Sequence, residues 1–419
     1  MRIRFKIFSC LTNKMFAALL LSVASCKKTP IDFFNPKDTS VTILLPKQVQ
    51  KTNQQKIYMH YMPWFDDKET SGNGKWGMHW TMVTKNPDII INGKRQIASF
   101  FYPLIGTYAS SDPDLLQYHL LLMKYAGIDG VIVDWYGVHP VADYPLVKRN
   151  TDSLFNQTIP AGLEFAICYE DATLKKVTTA LNMDTIEAAK ADMDYMQSAY
   201  FNSSNYVKIN NRPVLLCFGP QVMKKAFYWE GAFADVNPKP CFLPLAFQGQ
   251  VLGGVSTGEF AWVSPDRING LDNFYKNRAP YLNVAFAAAF PGFKDYGYLG
   301  GWGDQRVELE HNGTSTLLYS LEQAKLSNLP YVQLETWNDF GEGTMIEPTF
   351  EYGYSYLEEI QKYVGVKYTQ KELALIYTWY TLKKKYINNV DIGNRLMRAY
   401  YYLVALDTEK AIRIINEIE

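Results

Sequence analysis

Residues 103 to 137 read PLIGTYASSDPDLLQYHLLLMKYAGIDGVIVDWYG, and this stretch decides the fold. Ser111-Asp112-Pro113 is a helix start, with proline in the first turn and acids complementing the helix dipole. Leu115, Leu116, Tyr118, His119, Leu122, Met123 and Ala126 then recur at helical spacing, and Gly127 ends the helix. Ile128 to Trp135 follows at once as a near-continuous apolar run, the pattern of a parallel strand covered on both faces. A helix feeding a buried strand is the repeating unit of an α/β protein.

The unit recurs in both directions. Strand-like runs fall at 56–62, 128–135, 163–169, 213–219, 241–247, 258–263, 282–290 and 331–337, with helical patterns such as 185–200 and 314–326 between several of them. Eight strands alternating with helices predict an α/β fold of the (β/α)8 TIM-barrel type over residues 56–350, with active groups at the C-terminal ends of the strands. An open, doubly wound sheet is the competing topology. It ranks second because no glycine-rich phosphate turn follows the first strand. From 351 to 419 the chain reads only as amphipathic helices, expected to pack on the outside of the barrel.

The last strand-like run opens into YVQLETWNDFGEGTMIEP at 331–348. Here Glu335, Asp339, Glu342 and Glu347 crowd beside Trp337 and Phe340, and Gly341 and Gly343 allow sharp turns. Carboxylates gathered at the end of an apolar strand repel unless hydrated, paired or used, so such a place is where an acid–base pair is tuned. An ordinary acidic loop with a hydrophobic anchor is the other reading of the same residues.

Composition bounds the function. Hydrophobic residues at 47% and charged residues at 20% describe a globular chain, neither disordered nor polytopic in a membrane. With 42 basic and 42 acidic residues, no net charge argues for a nucleic-acid partner. Aromatic residues reach 15%, which suits stacking on sugar rings as well as ordinary cores. The five histidines include no HExxH pair, so no metal and no cofactor is expected. The glycine-rich run 297–303 lacks the Lys-Ser/Thr of a phosphate loop and reads better as an aromatic substrate loop. The start, with Arg2, Arg4, Lys6 and Lys14 ahead of MFAALLLSVASC, is a secretory leader over 1–25. Val23-Ala24-Ser25-Cys26 resembles a lipobox, which implies lipidation at Cys26 and a membrane partner through that lipid. The expected location is the cell envelope, on the periplasmic side or the surface of an outer membrane. Residues 26–55 read as a tether. Cys168, Cys217 and Cys241 lack zinc-like spacing and can form at most one bridge.

In a barrel, Asp134, Glu170, Asp171, Glu335, Asp339 and Glu342 all fall where strands end. Two carboxylic acids are the minimum equipment for cleaving a glycosidic bond. The motifs YMHYMPWF, the 100–137 segment and ETWNDFGEGTMIEP, in that order, resemble glycoside hydrolase families 71 and 99, which are α-glycan-cleaving (β/α)8 barrels. That resemblance implies Asp339 and Glu342 as the catalytic pair, Glu342 as general acid/base and Asp339 as base or as helper of the sugar's 2-hydroxyl. It also implies a sugar-binding cluster of His60, Tyr61 and Trp64 on the first strand and Glu170 on the third. Asp134, Trp135, Trp262, Glu335, Trp337 and Asn338 complete the expected substrate-binding set, although Asp134 could equally cap a turn. Family 99 carries glutamate where this chain has Asp339 and histidine where it has Gly341. If Asp339 activates water instead, the reaction inverts and the two carboxyls stand roughly 6.5–9.5 Å apart. The expected partner is an α-linked oligosaccharide or polysaccharide bound by a monomer. A catalytically silent glycan-binding lipoprotein on the same barrel is the alternative.

Overall fold

A computed structural model describes residues 39–263, 267–304 and 306–418. The leader and Cys26 lie outside the described residues. Beside a short antiparallel edge strand at Lys208–Ile209, eight strands form one sheet: β1 Lys56–Tyr61, β2 Gly130–Trp135, β3 Glu164–Tyr169, β4 Arg212–Cys217, β5 Cys241–Pro244, β6 Gly258–Phe260, β7 Val284–Ala289 and β8 Tyr331–Leu334. Their order is β5-β4-β3-β2-β1-β8-β7-β6, and every pairing among them is parallel. The sheet is curled, and its two ends touch. Leu245 and Phe260 form a parallel bridge, Thr257 N donates to Phe242 O at 2.9 Å, and Ala246 N donates to Phe260 O at 2.9 Å. All eight strand runs expected from the sequence are present, several trimmed at the C-terminal end. There the chain leaves the ladder to build loops. β8, for instance, ends at Leu334, yet Glu335 N still reaches Ala289 O at 2.9 Å.

Helices follow the strands: α1 Pro113–Tyr125, α2 Tyr144–Ala161, α3 Leu174–Leu181, α4 Thr185–Met196, α5 Ala226–Ala232, α6 Arg267–Asn277 and α7 Ser315–Leu326. α1 starts as its sequence demands, with Pro113 in the first turn and the Asp112 side chain accepting from Asp114 N. Side chains alternate along each strand. One set meets the helices: the Tyr61 hydroxyl pairs with His119 Nδ1 of α1 at 3.0 Å, Trp135 stacks on Tyr195 of α4, and the Tyr169 hydroxyl donates to Asp192 of α4. The other set meets inside the curl, where Tyr58 donates to Glu164 at 2.7 Å, His60 faces Gln333, and Trp262 sets its face against His60. The register of the sheet therefore fixes which residues can reach its mouth.

The C-terminal helices are α8 Ser355–Val364, α9 Gln370–Lys385, α10 Val390–Val404 and α11 Thr408–Asn416. α9 lies on α1, where Tyr380 stacks on Tyr118 at 4.7 Å and Lys383 and Lys384 pair with Asp114 and Asp112. Trp379 is fully buried and donates to Leu396 O of α10 at 2.8 Å. Ion pairs that keep contact with solvent contribute about 0–1 kcal/mol each, whereas burying one large apolar side chain contributes about 1.5–3 kcal/mol. Apolar burial therefore holds these helices in place. Among the described residues, no helix is long and apolar enough to cross a membrane.

Candidate active site

The loop after β8 is pinned at both ends by its own backbone. Thr336 N donates to Thr344 O at 2.9 Å, Ile346 N to Thr336 O at 2.9 Å, and Glu347 N to Trp337 O at 2.8 Å. Trp337 N also reaches His60 O on β1 at 2.6 Å. Inside this frame Asn338 grips Met62 twice, its amide oxygen accepting from Met62 N at 2.9 Å and its amide nitrogen donating to Met62 O at 3.0 Å. Asp339 is set by Thr336, whose hydroxyl accepts from Asp339 N at 2.8 Å, and one Asp339 oxygen accepts from Glu342 N at 2.8 Å. Gly343 sits at φ +68°, and a Cβ there would come within 2.8 Å of Lys294 O, so the turn that aims Glu342 requires glycine.

A second segment closes on this loop from the far side of β7. Lys294 N donates to Glu342 O at 2.7 Å and Tyr296 N to Gly341 O at 2.8 Å. Asp295, between those two residues, lines the same cavity as Asp339 and Glu342. Its carboxylate is held by Gly297 N at 2.6 Å.

Crowding of this kind moves the acids apart in proton affinity. Burial raises Asp339 to about 6, against the pull of the Glu342 amide, which favours its ionised form. Glu342 is pushed well above the usual carboxylate range, first by burial, then by Asp339, Asp295 and Glu170. Asp134 is pushed up by burial and by Glu170, Asp339 and Glu342, while the Tyr136 hydroxyl draws it back. Glu170 rises to about 8 through burial and its neighbour Asp171. Burial lowers His60 to about 3, so its imidazole is neutral.

Asp339 and Glu342 open on a cavity of about 260 Å³. Trp64 and His79 stack face to face at 4.2 Å on its wall, and Trp302, 44% exposed, continues that wall edge-on to His79 at 5.4 Å. Among the described residues, no Lys or Arg lines this cavity. Tyr136 is shared with a second cavity of about 650 Å³, bordered by Glu170, Tyr144, Lys175 and Lys176.

Of the residues expected from the sequence, Trp64, Asp339 and Glu342 line the first cavity and Glu170 lines the second. Asp134 is their electrostatic neighbour. His60 and Trp262 meet on the floor of the curl, His60 buried and Trp262 half-buried. Five others line neither cavity and are placed elsewhere. Tyr61 and Trp135 lie on the opposite pleat and face helices α1 and α4. Trp337 is buried against His119, Asn338 is spent on Met62, and Glu335 accepts from Val263 N at 2.6 Å. The sequence reading missed Tyr136 and Asp295. Tyr136 was within reach, because it lies two residues beyond Asp134 and so on the same pleat.

No protein-family profile matches the chain. It resembles a mouse (Mus musculus) glycoprotein endo-α-1,2-mannosidase, 21% identical over 74% of this chain and 73% of that one. It also resembles a mouse endo-α-1,2-mannosidase-like protein, 29% identical, but spans only 19% of that relative's length and 19% of its own. In fold it is similar to the family 99 endo-α-mannosidase of Bacteroides thetaiotaomicron, with a TM-score of 0.57 and 16% identity over 78% of this chain and 99% of that chain. A glycoside hydrolase-like protein follows, with a TM-score of 0.52 and 14% identity over 80% of this chain and all of that one. The resemblance read from the motifs thus meets its counterpart among proteins of the family 99 endo-α-mannosidase kind.

Proposed function

We propose that this family 99-like chain hydrolyses α-linked glycans, α-mannans first among them, with Glu342 as general acid and Asp339 as base or as helper of the sugar's 2-hydroxyl. One observation carries the reading: the two carboxyls share one cavity while their surroundings separate their proton affinities. Asp339, near 6 and held by an amide, is ionised at neutral pH. Glu342, displaced well upward, keeps the proton that a departing glycosidic oxygen needs. Trp64 and Trp302 supply apolar faces for the sugar's C–H surface, and Glu170 supplies an acceptor for its hydroxyls. The preference for mannan rests on what the relatives are named for. We also read the curled sheet as a closed (β/α)8 barrel, supported by the hydrogen bonds between β5 and β6. Anchoring through a lipid on Cys26 at the cell envelope rests on the leader sequence alone.

The test is a panel of α-mannans and α-glucans, with NMR of the first product anomer to read retention or inversion. Glu342→Gln is expected to lose about 10²–10⁴-fold in turnover while still binding the oligosaccharide. Undiminished turnover in that variant would remove the assignment. Saccharide binding by calorimetry, with no reducing ends released from any substrate on the panel, would favour a glycan-binding protein instead.

A further inference from the structure

We infer that His60, Asp134 and Cys168 form a binding site for one zinc-class divalent cation inside the curl of the sheet. A ring nitrogen, a carboxylate oxygen and the thiol sulfur of these residues lie within 4.8 Å of one another. They come from β1, β2 and β3, consecutive neighbours in the sheet, and Asp134 is the register partner of Cys168. All three are buried, His60 to 1%, Asp134 to 2% and Cys168 to 0% exposure. Zinc bonds of about 2.0–2.3 Å place tetrahedral donors roughly 3.3–3.8 Å apart, so the donors need to close by on the order of 1 Å.

The donor set selects the metal class. One nitrogen, one sulfur and one oxygen suit zinc, whereas calcium and magnesium call for oxygen throughout. His60 Nδ1 faces Gln333 Oε1 at 3.5 Å, an outer-shell contact that orients the ring and leaves its other nitrogen to coordinate. Two independent observations point to a cation. Asp134 Oδ2 is buried without a hydrogen-bond partner among the described residues, although buried carboxylate oxygens are ordinarily satisfied. Asp134 also faces Glu170, Asp339 and Glu342, and among the described residues no Lys or Arg lines the cavity those last two share. A divalent ion would offset that crowding. Binding converts the thiol and the carboxyl to thiolate and carboxylate, so two positive charges meet two negative ones and the displaced protons leave to buffer. Three protein donors leave the fourth position to solvent.

The full chain, stripped with a chelator and dialysed, is titrated with Zn²⁺ and separately with Co²⁺. Metal retained after gel filtration is measured by mass spectrometry, and Co²⁺ binding by its thiolate-to-metal charge-transfer absorption. One equivalent per chain is expected, with that absorption present. Cys168→Ser is expected to abolish the thiolate band, while Cys217→Ser and Cys241→Ser, which change thiols outside the cluster, leave it intact. Asp134→Asn, a near-isosteric change that guards against a folding artefact at Cys168, is expected to weaken Zn²⁺ by at least 10-fold. Gln333→Leu is expected to weaken it by about 10–100-fold, the usual outer-shell effect. Failure to retain stoichiometric metal, or a Co²⁺ band that survives Cys168→Ser, overturns the site. Because the readout is metal rather than turnover, such a failure leaves the hydrolase assignment standing, and an inactive chain that binds metal leaves the cation site standing.

Discussion

Two groups of buried carboxylates in this molecule have opposite surroundings. Asp171 accepts from the backbone amides of Gln221, Val222 and Met223, each at 2.8 Å, and leaves no room for a Cβ at Gly219. Glu259 accepts from the Arg278 guanidinium at 2.9 Å and 3.0 Å through one nitrogen, and from the amides of Phe247 and Gly249 at 2.7 Å and 2.9 Å. Each of these acids has its charge met by donors arranged around it. Asp134, Glu170, Asp339 and Glu342 instead face one another, and the described structure aims only the backbone amides of Gly341 and Glu342 at Asp339 and a tyrosine at Asp134. Satisfied acids hold loops in place, and unsatisfied ones are available to a ligand. The distinction is one of partners and of access: Asp171 and Glu259 are fully buried, whereas Glu170 and Glu342 are partly exposed to their cavities.

The strongest way to break this comparison is to exchange residues across it and read activity and stability together. Glu342→Gln should cost about 10²–10⁴-fold in turnover without lowering the melting temperature, since it exchanges a carboxylic acid that already carries its proton for a neutral amide of the same size. Glu259→Ala should do the reverse. It strands the Arg278 guanidinium, only 16% exposed, and should cost about 3–5 kcal/mol in denaturant unfolding. A Glu342→Gln chain that melts far below the parent, or a Glu259→Ala chain as stable as the parent, would collapse the distinction.

An intermediate case sharpens it. Glu347 is buried beside the reactive loop and is half satisfied: Tyr108 donates to one oxygen at 2.7 Å, while His119 stands 3.4 Å from the other without a hydrogen bond to it. The same Tyr108 hydroxyl accepts from Asn338 at 3.2 Å, which ties Glu347 to the residue preceding Asp339. Tyr108→Phe leaves one carboxylate oxygen and one amide hydrogen without partners, and should cost about 1–3 kcal/mol in unfolding free energy. Turnover should fall more than substrate affinity, because Asp339 shifts while Trp64 and Trp302 stay. Equal losses in both would place Tyr108 among the sugar contacts.

How much of this was legible follows from how local each signal is. The strands could be read because buried parallel strands leave unbroken apolar runs such as Gly130 to Trp135, bounded by glycine or proline. Asp339 and Glu342 could be read because they share one turn. Tyr61 and Trp135 follow from period-2 alternation, which sends both toward the helices when His60 and Asp134 point into the curl. Asp295 was out of reach, since only the backbone pairing of 294–296 with 341–342 brings it to the acids. The meeting of His60, Asp134 and Cys168 likewise depends on the register of three strands spread over more than a hundred residues.

Asp295 gives the subtlest test, because it lines the cavity yet its carboxylate is partly met by Gly297 N. Its charge raises the proton affinity of both Asp339 and Glu342. Activity on the proposed mechanism needs Asp339 ionised and Glu342 protonated, so the pH profile of kcat/KM should be bell-shaped, with an acid limb near 6. Asp295→Asn removes the repulsion, both groups release their protons at lower pH, and both limbs should move toward acid. The optimum should shift while its height changes little. If only the alkaline limb moves, Asp295 acts on Glu342 alone; if the height falls with no shift, Asp295 binds sugar and belongs with the contacts made by Trp64.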